Sequence, residues 1–127
     1  SNSEILDWYK VHPEIEWFAA EADKLYRASD GILSKKEYCA FHWLFNESSV
    51  SAASDFMNRL ANGFDLSRRD PVLVLRNKLI KARYEPNNRL NRHYKWAIVV
   101  KAWNLFIEGK EARLLKMMPK EKFPAIK

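Results

Sequence analysis

Cys39 and His42 stand three residues apart, a spacing that brings two side chains onto one face of a helix. There they could share a metal or act as a thiol–imidazole pair. Neither chemistry is complete: a zinc site needs three or four protein ligands, and neither His12 nor His93 has a spacing that completes one. Cys39 precedes an aromatic-rich stretch with Phe41, Trp43 and Phe45, so the thiol is expected to pack as a small apolar group. The sequence holds no Gly-rich phosphate loop, no Gly-x-Ser-x-Gly elbow and no His-Glu-x-x-His helix. The expectation is a non-catalytic chain with no cofactor and no metal.

The chemistry that remains is electrostatic. Residues 76–95 carry Arg76, Lys78, Lys81, Arg83, Arg89, Arg92 and Lys95, interleaved with Tyr84, Asn87, Asn88, Asn91, His93 and Tyr94. Cations neutralise phosphates, asparagines bond to backbone or bases, and exposed tyrosines stack on unpaired bases. Lys78, Lys81, Arg83, Tyr84, Arg89, Arg92 and Lys95 are therefore the expected contacts to DNA or RNA, made to phosphates without sequence preference. The alternative is a solvated face, or one that pairs with the acidic first half. The net charge of +6 divides into −5 over residues 1–66 (six Lys/Arg, eleven Asp/Glu) and +11 over residues 67–127 (sixteen and five). Such polarity calls for an acidic partner or head-to-tail packing of the halves.

Arg76, Lys101 and Asn104 form a second group, each inside a largely apolar helical pattern. One reading places them in a polar pocket or interface. The other lets Arg76 bond to helix-end carbonyls or a carboxylate while Lys101 reaches water along its apolar stem.

Positioning these residues falls to helices. The three glycines, 31, 63 and 109, each stand where a helix should stop, and alternating β-branched runs are scarce. The pattern predicts an all-α, compact orthogonal bundle of about six helices. Ser3 caps a short first one, and His12-Pro13 breaks it. Pro13 opens a second, and Ile15, Phe18, Ala22 and Leu25 form its apolar stripe. Ser34 and Glu37 make a capping box for a third, which ends near Asn46. Ser51 caps a fourth that closes at Asn62-Gly63, and Asp70-Pro71 starts a fifth striped with Val72, Leu75, Leu79 and Ala82. A polar loop leads to a central helix over residues 91–108 that is apolar on nearly all sides, followed by an extended, strapped-down C-terminal tail. The third and fourth helices outline a helix-turn-helix. The fourth begins with Ser51, Ala52, Ala53, Ser54 and Asp55, which phosphate would repel, so the pair is expected to be a packing hairpin.

At 127 residues and 47% apolar content the chain is one domain with ample core. A lone cysteine suits a reducing cytoplasm, and no apolar run approaches the ~20 residues of a membrane span. Ser1-Asn2 resembles a tag-cleavage scar, so an excised C-terminal region of a longer protein is expected.

Several runs recur together in a known setting. They are Asp70-Pro71-Val72-Leu73-Val74-Leu75-Arg76-Asn77-Lys78-Leu79-Ile80, Ile98-Val99-Val100-Lys101-Ala102-Trp103-Asn104, Glu108-Gly109 and Phe123-Pro124-Ala125-Ile126. The His12-Pro13-Glu14-Ile15 start and Phe56 with Leu60 and Gly63 accompany them. Nearly the whole chain resembles the C-terminal helical region of ParB-like proteins of phages and other mobile elements. The resemblance implies a DNA-linked context and an N-terminal ParB/sulfiredoxin-like domain as a possible partner. That domain's Asp-Gly-Gln-His-Arg type of motif is absent here. The resemblance supplies no catalytic residues for this region.

Overall fold

Side-chain caps set where four of the five described α-helices begin. The computed structural model describes residues 14–127, and among them the chain is all-α, with five α-helices, one 3-10 turn and no strand. The expected first helix and its His12-Pro13 break lie outside the described residues. α1 spans Ile15–Ala28 and buries Ile15, Phe18, Ala22 and Leu25, the expected stripe. It ends at Ser29, where Asp30 (φ 56°) and Gly31 (φ 73°) turn the chain back in two successive left-handed residues. α2 spans Lys35–Ser48 behind a complete capping box: Ser34 accepts from the Glu37 N–H, and Glu37 accepts from the Ser34 N–H. It runs two residues past Asn46.

α3, Val50–Asn62, is capped by Ser49 rather than Ser51. Ser49 is extended and its hydroxyl accepts from the Ala52 N–H at 3.2 Å, whereas Ser51 already lies within the first turn. Ser49 also ends α2, so one residue joins the two helices, whose expected bounds near Asn46 and at Ser51 left a longer connection. α3 stops at Gly63, in the left-handed region at φ 70°. α4, Pro71–Tyr84, starts on the Asp70 cap, whose carboxylate accepts from the Val72 N–H at 2.8 Å. The 3-10 turn Pro86–Asn88 follows, and Asn91 caps α5, Arg92–Ile107.

α5 buries Ala97, Ile98, Val99, Val100, Ala102 and Trp103, a near-continuous run that requires neighbours on several sides. α3 and α4 pack against it, and α2 adds its rings. Trp103 is fully buried, stacked on Phe45 at 4.4 Å and met edge-on by Phe56 at 5.6 Å. Truncating such a side chain to alanine costs about 3–5 kcal/mol. Residues 110–127 form no helix and lay Ala112, Leu115 and Met117 back onto the core. Among the described residues no helix is long and apolar enough to cross a membrane.

Candidate nucleic-acid interface

The fold brings the end of α4, the 3-10 turn and the start of α5 beside the turn after α1 and the first turn of α2. This juxtaposition divides the expected basic residues into two sets. Lys95, on the first turn of α5, meets the α2 capping-box carboxylate: its Nζ lies 2.8 Å from Glu37 Oε1. Both side chains are largely buried, at 24% and 13% exposure, so this charge is neutralised locally. Burial pushes the Glu37 carboxyl up. Hydrogen bonds from Lys95, the Ser34 N–H and the Trp96 indole outweigh that and hold it below its ordinary value. Lys78 is also engaged, donating to the Leu115 carbonyl and, at 3.0 Å, to the Tyr94 hydroxyl. The Tyr84 ring is exposed, but its hydroxyl donates to the Asp30 carboxylate.

Lys81, Arg83, Arg89 and Arg92 make up the other set. All four are exposed, and none has a carboxylate at ion-pair distance among the described residues. Aromatic faces orient two of them: Arg83 lies 5.7 Å from the Tyr84 ring centre and Arg92 5.5 Å from that of Trp96. Contacts of this kind contribute about 0.5–1 kcal/mol at exposed sites, enough to bias a rotamer without hiding the charge. Of the interleaved polar residues, Asn88 donates to Glu85, Asn91 is spent as the α5 cap, and His93 packs on Phe123. Asn87 is exposed.

Two depressions lie within this surface. A recess of about 240 Å³ is lined by Gly31, Ile32, Leu79, Arg83, Arg89 and Leu90. A wider groove of about 720 Å³ runs over Phe41, Leu44 and Trp96, with Arg92 at its side. Leu90 and Lys95 line both. Sequence reasoning missed Gly31, Glu37 and the Trp96 face as parts of this surface. Trp96 falls within the helix expected to be central and apolar on nearly all sides, yet it is half-buried and donates to Glu37 at 2.6 Å. The available signal was its position one turn into a helix whose neighbours Arg92, His93 and Lys95 are polar.

The second expected group serves structure. Arg76 donates through Nε to the Leu60 carbonyl at 3.0 Å, near the end of α3, the helix-end reading. Lys101 donates to the Lys116 carbonyl at 2.7 Å and pairs with Glu121. Asn104 grips the tail twice, donating to the Ala125 carbonyl at 2.8 Å and accepting from the Lys127 N–H at 2.9 Å. Arg76 thus braces the end of α3, while Lys101 and Asn104 hold the tail. Cys39 is half-buried and burial pushes its thiol up, away from the reactive thiolate. His42 is buried against Phe18 and Trp17, and burial pulls its imidazole below the ordinary range. Among the described residues no cluster of three or more His, Cys, Asp or Glu side chains could hold a metal.

No family model, curated protein or solved structure matches the chain.

Proposed function

We propose that this chain is a non-catalytic helical accessory domain that associates with nucleic acid through phosphate contacts from Lys81, Arg83, Arg89 and Arg92. The observation that carries the reading is that these four cations are exposed and lack carboxylate partners among the described residues, on a face bordered by the Trp96 groove. Tyr84 stands beside them as a stacking surface, since its hydroxyl bond to Asp30 leaves the ring exposed. Lys78 and Lys95 leave the contact set because their ammonium groups are occupied. The resemblance to ParB-like proteins supports a DNA-linked, mobile-element context for such a domain, and the lone Cys39 a reducing cytoplasm. Anisotropy titration of a labelled oligonucleotide at two salt concentrations tests the reading. The combined Arg83→Ala, Arg89→Ala and Arg92→Ala variant should bind more weakly and lose about 2–3 from the log–log salt slope, at ~0.7–0.9 per phosphate. Affinity and slope unchanged in the triple variant end the proposal.

A second reading, a protein-interaction module, rests on Trp17. Its indole is 54% exposed on α1, beside the exposed Glu16, far more than the core needs. Light scattering over a dilution series, with and without a ParB/sulfiredoxin-like domain, separates the two. A monomer that ignores the added domain removes this second reading.

A further inference from the structure

The recess beside Gly31 has a composition unlike the rest of the basic face. Its lining sets Ile32, Leu79 and Leu90 beside Arg83 and Arg89. Gly31 admits the first of these guanidinium groups. A Cβ there would fall 3.3 Å from Arg83 Nη2 and 3.0 Å from the Tyr26 ring, in a backbone conformation (φ +73°) that side chains rarely adopt. The nearby Lys95 charge is cancelled by Glu37, and the Asp30 carboxylate is engaged by the Tyr84 hydroxyl. Arg83 and Arg89 are therefore the recess-lining cations with no carboxylate at ion-pair distance among the described residues, while Asp30 keeps its charge on the Tyr84 side.

We propose that this recess is a phosphomonoester site that takes the terminal nucleotide of a strand. The proposal deepens the nucleic-acid reading and rests on it. Three features select this ligand. A phosphomonoester carries about −1.5 to −2 at neutral pH, which matches two free guanidiniums better than the single charge of an internal phosphodiester. At about 240 Å³ the recess lies below the ~300–1,000 Å³ of sites for drug-sized ligands, so it accepts an end group rather than a length of chain. Leu90 and Lys95 line both the recess and the neighbouring groove, so a strand that ends in the recess has the groove beside it for the residues that follow. Leu90, which is partly exposed in the lining, then meets a sugar edge or base face.

The test compares short single strands of one sequence by anisotropy: hydroxyl at both ends, 5′-phosphate, 3′-phosphate, and a closed circle. Unlabelled nucleoside monophosphate serves as competitor. One phosphorylated end should bind about tenfold tighter than hydroxyl ends or the circle, the effect expected of one or two charged hydrogen bonds. Which end gains identifies the strand polarity, and displacement by free monophosphate identifies a soluble nucleotide as a second source of the same group. Ala82→Leu, on the recess lining, fills the space without altering a charge and should bring the preference to about one. Equal affinity for all four strands, with no competition by monophosphate and a persistent salt slope, overturns the recess proposal and leaves the surface reading intact. A preference that survives Ala82→Leu also overturns it. Salt-insensitive or absent binding of every strand overturns both.

Discussion

Glu37→Gln separates the stability of the fold from the charge of its basic face. In the native chain one Glu37 oxygen accepts from Lys95 at 2.8 Å and from the Ser34 N–H at 2.9 Å, and the other accepts from the Trp96 indole at 2.6 Å. The amide retains one acceptor and most of the shape but loses the charge. A charged hydrogen bond contributes about 1.5–3 kcal/mol and a neutral one about 0.5–1.5, so the substitution should cost roughly 1–2 kcal/mol. The side chains are partly exposed, 24% and 13%, which argues against the larger penalties of fully buried pairs. At roughly 4 °C per kcal/mol for a domain of this size, Tm should fall by about 4–8 °C at neutral pH. The sign of the pH dependence follows from Glu37 being held below its ordinary value of 4.5. Its contribution is complete above that value and is lost as pH falls through the lower folded-state value, so the gap between native chain and variant should close in acid. Binding should move the other way. Lys95 loses its counter-charge, the face gains one free cation, and the salt slope on single strands should steepen by about 0.7. Thermal melts between acid and neutral pH, with salt titrations of both proteins, measure each effect. A variant less stable at neutral pH but with an unchanged or shallower slope would refute the view that Glu37 withdraws Lys95 from the binding surface.

Further outcomes follow from the glycines and the tail. Gly63→Ala should cost about 2–4 kcal/mol, combining ~1–2 for left-handed strain with the loss of the Arg76 bond, because its Cβ would fall 2.7 Å from Arg76 Nε. Gly109→Ala, at φ +68° with nothing within 4 Å, should cost only the strain, about 1–2 kcal/mol; equal losses in urea melts would contradict the close-approach argument. Asn104→Ala should cost about 1 kcal/mol, speed amide exchange at Lys127 and open Lys120 and Lys122 to trypsin. Native-rate exchange and cleavage would mean that the tail is held by other contacts.

Helix starts were legible because cap chemistry is local. Ser34 with Glu37 and Asp70 with Pro71 each state a boundary within four residues, and the structure places those helices there. Ser49 was missed because 49 and 51 are both serines and only backbone geometry decides between them: Ser49 is extended while Ser51 is helical. The Lys101-Ala102-Trp103-Asn104 run shows where local reasoning stops. Its spacing puts Lys101 and Asn104 on one helix face and Trp103 on another, as helical geometry requires. What Lys101 and Asn104 touch is the tail, 15 to 23 residues further along. Nothing in that spacing names the partner.

The basic face poses the same difficulty with a larger consequence, because its charge is set by a residue 58 positions away. Glu37 was read as a cap, a role that uses one of its lone-pair sites. A carboxylate offers about four, and in the fold the remainder take Lys95 and Trp96. The polarity of −5 against +11 left open whether the halves neutralise each other. Several ion pairs join residues of the same half: Lys35 and Arg27 to Asp23, Lys101 to Glu121, Lys110 and Lys127 to Glu108, Arg69 to Glu111. Lys95–Glu37 and Arg59–Asp70 join the two halves. The carboxylates of the second half are thus largely committed to its own tail, and the acidic half reaches the basic face at Glu37 and Asp30. Lys81, Arg83, Arg89 and Arg92 have no carboxylate at ion-pair distance among the described residues, a condition they share with Lys36, Arg68, Arg113, Lys116, Lys120 and Lys122. The proposed polyanion contact rests on the four that the end of α4, the loop after it and the start of α5 carry together.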